Sequence, residues 1–200
     1  MQEMHLLLHG IAIKKHADAA AIASVVGLDP QKAAILLADA VKRGRAVEAA
    51  GKFMLTPTAR MALEGDYSRY YGEHRANADF VEAYEAFERI NVDLKALITD
   101  WQTLELGGER IANDHGNQDY DQRIIDRLGN LHERADKILA RLARHLARLQ
   151  IYRDKLLGAL EKAEDGAVEW VSDVRIDSYH TVWFELHEDL LRIFGRQRSE

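Results

Sequence analysis

From Phe80 onward a row of mostly apolar residues in this chain steps by four and three. The first run is Phe80, Tyr84, Phe87, Asn91, Leu94, Ile98 and Trp101, and the second is Ile124, Leu128, Leu131, Ala135, Ile138, Leu142, His145, Leu149, Tyr152 and Leu156. That spacing keeps one helix face apolar turn after turn, and it is incompatible with strands, whose side chains alternate every second residue. It predicts a long helix over about residues 68 to 106 and a longer one ending near Glu164, separated by LGGERIANDHGNQD with its three glycines. Two long helices joined by a short polar link are expected to lie antiparallel as a helical hairpin. Ile90, Leu97 and Leu104 on the first helix, and Ile125, Leu139, Leu146 and Leu160 on the second, widen the apolar stripe beyond what one neighbour covers. A C-terminal helix of about residues 178 to 194 and the same hairpin from a second copy are both expected to cover it, which predicts a homodimer through this helical domain.

Only two prolines, Pro30 and Pro57, interrupt 200 residues, and 47% hydrophobic with 30% charged side chains suffices for a packed core. The fold class is therefore mainly α. With no cysteine, disulfides, thiolate metal sites and thiol nucleophiles are excluded. The start, MQEMHLLLHGIAIKKHADAA, has an apolar run too short to span a bilayer and no basic segment before it, so neither signal peptide nor membrane partner is expected and the location is expected to be cytoplasmic.

The stretch from Asp18 to Pro57 follows a different plan. After a first helix of about residues 2 to 16, Asp18 is placed to cap a helix over Ala19 to Val26, and Gly27 to close it in the left-handed conformation. Asp29 caps the next helix, Pro30 sits at its first position where a missing N–H costs nothing, and the helix ends at Arg43 and Gly44. Ala46 to Ala49 and Phe53 to Leu55 flank an Ala-Ala-Gly-Lys turn and are expected to pair as a ribbon. After Thr56 and Pro57 a helix resumes until Gly65, placing a domain boundary near residue 66, with 67–200 as the dimerisation or interaction domain.

The turn VVGLDP, the helix ending in KRGRAVE and the ribbon exit GKFMLTPTARMAL, in this order, resemble the winged helix-turn-helix family, which includes bacterial transcription regulators of the MarR and PadR kinds. The resemblance covers residues 1–66. It implies an N-terminal winged domain whose second helix of the turn, Pro30 to Arg43, enters the major groove of double-stranded DNA. Gln31 and Lys32 would lie near its N-terminus, while Arg43, Arg45 and Lys52 would meet phosphates. The same helix face carries Ala34, Ile35 and Ala38, with Asp39 beside them. Apolar side chains there favour a protein partner, and Asp39 repels phosphate.

Charge leaves both readings open. Residues 1–66 hold eight Lys and Arg against seven Asp and Glu, while the remainder is acidic and brings the chain to −6. Arg127, Arg134, Arg141, Arg148 and Lys155 recur every seven residues and are expected to pair with acidic residues on the next helix. His180 and His187, two turns apart near Glu185 and Glu188, are too far apart for one metal to bridge directly, and His5, His9 and His16 share a helix face. A small-ligand or metal sensor on that face is the lesser reading. Asn91 and His145 occupy seam positions, where polar residues specify register. Without a phosphate-cradling glycine loop, a nucleophile elbow or a dinucleotide fingerprint, no enzyme activity, catalytic residue, metal or cofactor is expected.

SYHTVWFELHEDLL behind a winged domain is also similar to accessory segments of some bacterial phosphoenolpyruvate-utilising dikinases. The catalytic histidine motif of that family is missing, so this resemblance implies a regulatory or docking piece. Two functions are thus expected: a dimeric DNA-binding transcription regulator; or a non-catalytic accessory subunit that uses Ala34, Ile35 and Ala38 to bind a protein, such as a phosphoenolpyruvate-utilising enzyme.

Overall fold

Eight α-helices, two 3-10 turns and two small antiparallel ribbons form the described residues, 3–197, of a computed structural model, so the chain is mainly helical. It divides into two compact units. One holds the chain up to Asn77 together with the segment from Glu185 onward, and the other is Ala78–Phe184. The boundary expected near residue 66 thus falls at Asn77, and the C-terminal segment belongs to the first unit. Among the described residues no single helix is long and apolar enough to cross a membrane.

The first unit contains α1 (Glu3–Lys14), α2 (Ala19–Val26), α3 (Pro30–Lys42), β1 (Ala46–Ala49), β2 (Lys52–Leu55) and α4 (Pro57–Ala76). The Asp18 carboxylate accepts from the Ala21 N–H at 2.9 Å and that of Asp29 from the Lys32 N–H at 3.0 Å, so both caps form. Gly27 closes α2 at φ 71°, and α2 and α3 meet at 113°. Gly10 of α1 faces the Ile22 carbonyl so closely that a Cβ would lie 3.1 Å from it. The ribbon turns at Ala50 (φ 51°) and Gly51 (φ 75°), the pair of left-handed residues that a two-residue type I′ hairpin requires. Its register pairs Ala46 with Leu55, Val47 with Met54 and Ala49 with Lys52. Ala17, between α1 and α2, adds a single bridge to Phe53.

Helix α4 does not stop at Gly65. A glycine inside a helix costs about 1 kcal/mol, whereas the turns beyond it bring Tyr67 and Tyr71 into the core, each burial giving roughly 1.5–3 kcal/mol. The helix therefore continues to Ala76 and breaks at Asn77, whose backbone is extended (φ −81°, ψ 114°). The single helix expected over residues 68 to 106 is thus the end of α4 followed by α5.

The second unit contains α5 (Ala78–Gln102), β3 (Thr103–Leu106), β4 (Glu109–Ala112), α6 (Gln118–His145) and α7 (Gln150–Glu164), with 3-10 turns at Ala147–Leu149 and Val168–Trp170; the last helix, α8 (Tyr179–Phe194), begins here. Gly107 (φ 63°) and Gly108 (φ 87°) make β3–β4 a hairpin where only a loop was expected. The second long helix is also two, because Leu146 turns out of helical geometry at φ −137°.

Phe80, Tyr84, Phe87, Leu94, Ile98 and Trp101 of the α5 seam are all buried. So are Ile90, Leu97, Ile125 and Leu139 beside the seams, covered within one chain, so the width of the stripe does not itself require a second copy. The α8 helix supplies part of that cover: Trp183 stacks on Phe87 at 4.8 Å, and its indole N–H donates to the Asn91 side-chain oxygen at 3.0 Å. Asn91 sits in the seam to meet that indole. The heptad-spaced cations pair in reverse order along α5, Arg127 with Asp100, Arg134 with Asp93, and Arg141 with Asp79 and Glu82. Such exposed pairs are screened by solvent and add little stability, so their main effect is on register.

Candidate nucleic-acid interface

Helix α3 buries Ala33, Leu37 and Ala40, spaced by four and three, half-buries Leu36, Asp39 and Val41 beside them, and turns the rest of its surface to solvent. Gln31, Ile35, Ala38 and Lys42 step by four, three and four along that outer surface, with Ala34 beside them, and all five are exposed. Ile35 is 71% exposed, unusual for so large an apolar side chain.

The five residues assigned to DNA differ in their surroundings. The Lys32 ammonium pairs with Glu3 of α1. The Arg43 Nε–H donates to Asp39 at 2.8 Å, a hydrogen bond that raises the guanidinium pKa further above its ordinary value. Both cations are thus already matched by carboxylates. Gln31, Arg45 and Lys52 are exposed, and Arg45 and Lys52 make no ion pair among the described residues. Lys42 is in the same condition, and the sequence reading missed it although its four-three-four spacing from Gln31 places it on the outer stripe.

The ribbon has one outward face. Ala46 and Leu55 are buried, whereas their neighbours Val47 and Met54, paired across the strands, are 45% and 37% exposed. Lys52 pairs with Ala49 beside the Ala50-Gly51 turn, so its ammonium stands at the ribbon tip. The residues assigned to a protein partner, Ala34, Ile35 and Ala38, share the exposed face of α3, so both readings address one surface.

The histidines are mostly inside. His9 is fully buried: its ring bonds to the Asp189 carboxylate through Nε2 at 2.8 Å and to the Tyr67 hydroxyl through Nδ1 at 2.9 Å. A carboxylate only accepts, so with a neutral imidazole Nε2–H donates to Asp189 and the Tyr67 hydroxyl donates to Nδ1. Burial pushes the Tyr67 phenol pKa well up, which keeps this donor protonated. The ring of His5 stacks on Tyr70 with centroids 3.8 Å apart, while His16 is exposed. His187 is buried and His180 half-buried, and among the described residues no group of three or more His, Asp or Glu could hold a metal ion.

A polar cluster that the spacing analysis passed over lies in the link from β4 to α6. Asp121 is buried and accepts from the Asn113 amide and from His115 Nδ1, each at 2.9 Å. His115 holds a left-handed backbone (φ 59°) with its ring 4.5 Å from that of Trp101. The cluster ties the link to the end of α5, since the same Asn113 amide also donates to the Trp101 carbonyl.

Compared with protein-family models, with curated proteins and with solved structures, the chain finds no match.

Proposed function

We propose that the first unit is a winged helix-turn-helix that binds double-stranded DNA, and that the chain acts as a non-catalytic transcription regulator. The observation that carries this reading is the outer stripe of α3, Gln31, Ile35, Ala38 and Lys42, exposed along its length while Lys42, Arg45 and Lys52 make no ion pair among the described residues. A helix about 10–12 Å across fits a major groove about 12 Å wide. Gln31 has the donor and acceptor that an adenine edge takes bidentately, and Ile35 with the alanines offers apolar contact to thymine methyls. Three cations engaging phosphates give a salt slope of roughly −2.7 per protomer. We further propose a homodimer, held by the antiparallel helical hairpin of α5 and α6, which would set the half-site spacing; light scattering at micromolar concentration tests it by mass.

Fluorescence anisotropy with a labelled random-sequence duplex tests the reading. Binding at low salt, weakened by added salt and reduced by both Arg45→Ala and Lys52→Ala, supports it; no binding at low salt overturns it. The exposure of Ile35 favours one second reading, an accessory subunit that docks a protein on α3. That reading predicts no duplex binding and a stoichiometric partner lost on Ile35→Glu.

A further inference from the structure

Between Asp136 and Asp154 the chain carries Lys137, Arg141, Arg144, Arg148 and Arg153 and no Asp or Glu, although its net charge is −6. This stretch runs from the second half of α6 through the 3-10 turn at Ala147–Leu149 into the start of α7, all within the second unit. All its cations except Arg148 line an open groove of about 700 Å³, whose apolar surface comes from Ala140, Ala143 and Ala147. Among the described residues no carboxylate lines that groove. Arg141 is held by Asp79 and Glu82, and Arg153 by Asp136. Lys137 and Arg144 are exposed and make no ion pair among the described residues. Seven residues set these two about 10 Å apart along one face of α6, with the half-buried Ala140 between them. Lys137, Ala140 and Arg144 thus step by three and four on the outer side of α6, the spacing of a helix-packing stripe left open to solvent.

We propose that this groove docks an acidic amphipathic helix of another protein. The apolar side of the incoming helix lies on the three alanines, and two of its carboxylates, two turns apart, meet Lys137 and Arg144. Charge complementarity sets the sign of the partner, since the groove presents cations without a carboxylate between them. The alanines set its kind. Methyl side chains let two helix axes approach to about 8 Å, the near end of the packing range, and the apolar surface so covered has no counterpart on a phosphodiester backbone. A second copy of the chain does not fit, because a two-fold contact is self-complementary and would set Lys137 and Arg144 against the same cations. Nothing in this docking depends on DNA binding by α3.

The test uses the full chain labelled with 15N, titrated with a lactam-bridged helical peptide of about five turns that carries glutamates two turns apart beside a leucine and alanine face. Controls are the same peptide with lysine for glutamate, its scrambled sequence, polyglutamate, and random-sequence duplex DNA. Saturable shifts of the Ala140, Ala143 and Arg144 amides are expected with the glutamate peptide below about 1 mM. The other peptides and polyglutamate should bind at least about tenfold more weakly, lacking either the charge or the apolar face. Reversing both free cations, Lys137→Glu with Arg144→Glu, should weaken the glutamate peptide by about tenfold or more and make the lysine peptide the tighter ligand. Ala140→Arg adds charge but covers the apolar surface, so it should weaken the glutamate peptide and strengthen polyglutamate. None of these changes removes an ion pair, and the rest of the spectrum reports a folded chain. The proposal is overturned if the glutamate peptide gives no saturable shift up to about 1 mM, or if the scrambled peptide or polyglutamate binds as tightly. It is also overturned if Ala140→Arg strengthens the glutamate peptide, or if the duplex shifts the same amides at lower concentration than the peptide does; either result marks a polyanion surface. A doubled mass by light scattering, with these amides shifting as the protein alone is concentrated, overturns it in favour of a second copy.

Discussion

Replacing His9 by leucine tests what holds α1, α4 and α8 together in the first unit. The imidazole is fully buried and bonds to Asp189, also 0% exposed, at 2.8 Å and to Tyr67 at 2.9 Å. A hydrogen bond to a charged group is worth about 1.5–3 kcal/mol and a neutral one about 1 kcal/mol, so losing both costs about 3 kcal/mol. For a unit of this size each kcal/mol moves the midpoint by about 4–8 °C, so the thermal transition falls by about 12 °C or more. Urea titration followed by far-UV circular dichroism reads the loss. Trp101, Trp170 and Trp183 all lie in Ala78–Phe184, so fluorescence follows the second unit separately. Adding Asp189→Leu to His9→Leu should recover part of the loss, because the carboxylate that lost its imidazole is then gone. A destabilisation below about 1 kcal/mol for His9→Leu would refute the reasoning, as would a double variant less stable than the single by the full cost of Asp189→Leu alone.

Three further outcomes follow from particular contacts. Hydrogen bonds from Arg141 and then His145 hold the Asp79 carboxyl at about 2, below the unfolded value of about 3.9. Its contribution is therefore complete above about pH 4 and lost as pH falls toward 2, so Asp79→Asn should flatten the pH dependence of the urea midpoint in that window. Gly10→Ala places a Cβ 3.1 Å from both the Ile22 carbonyl oxygen and Val26 Cγ1, and overpacking there should cost roughly 1–3 kcal/mol by chemical denaturation. Ile35→Asp, on a surface helix, should leave stability within about 0.5 kcal/mol of the parent while abolishing duplex binding by anisotropy.

Local chemistry was the most legible part of the chain. Asp18, Gly27, Asp29 and Pro30 punctuate α2 and α3 where their own backbone requirements place them, and the apolar four-three seam residues from Phe80 to Trp101 are buried. The breaks were less legible. Asn77 and Leu146 interrupt long amphipathic runs without a proline or glycine at the break, so tertiary packing places them, whereas Gly65 lies inside α4 because Tyr67 and Tyr71 beyond it are buried. Gly107-Gly108 did carry a readable hairpin signal, but its polar surroundings read as a loop. The membership of the C-terminal segment in the first unit depends on contacts such as His9 with Asp189, 180 residues apart, which no local pattern announces. At the candidate site, residue types pointed to the surface, but only the geometry separates Lys32 and Arg43, paired with Glu3 and Asp39, from Lys42, Arg45 and Lys52.

The most direct measurement replaces Ile35 by a photo-crosslinking phenylalanine derivative and irradiates the protein with duplex DNA in the presence of cell extract. Adducts between position 35 and the duplex, lost at high salt and in Arg45→Ala, are the predicted result. Adducts to protein alone, with none to DNA at low salt, would contradict the account.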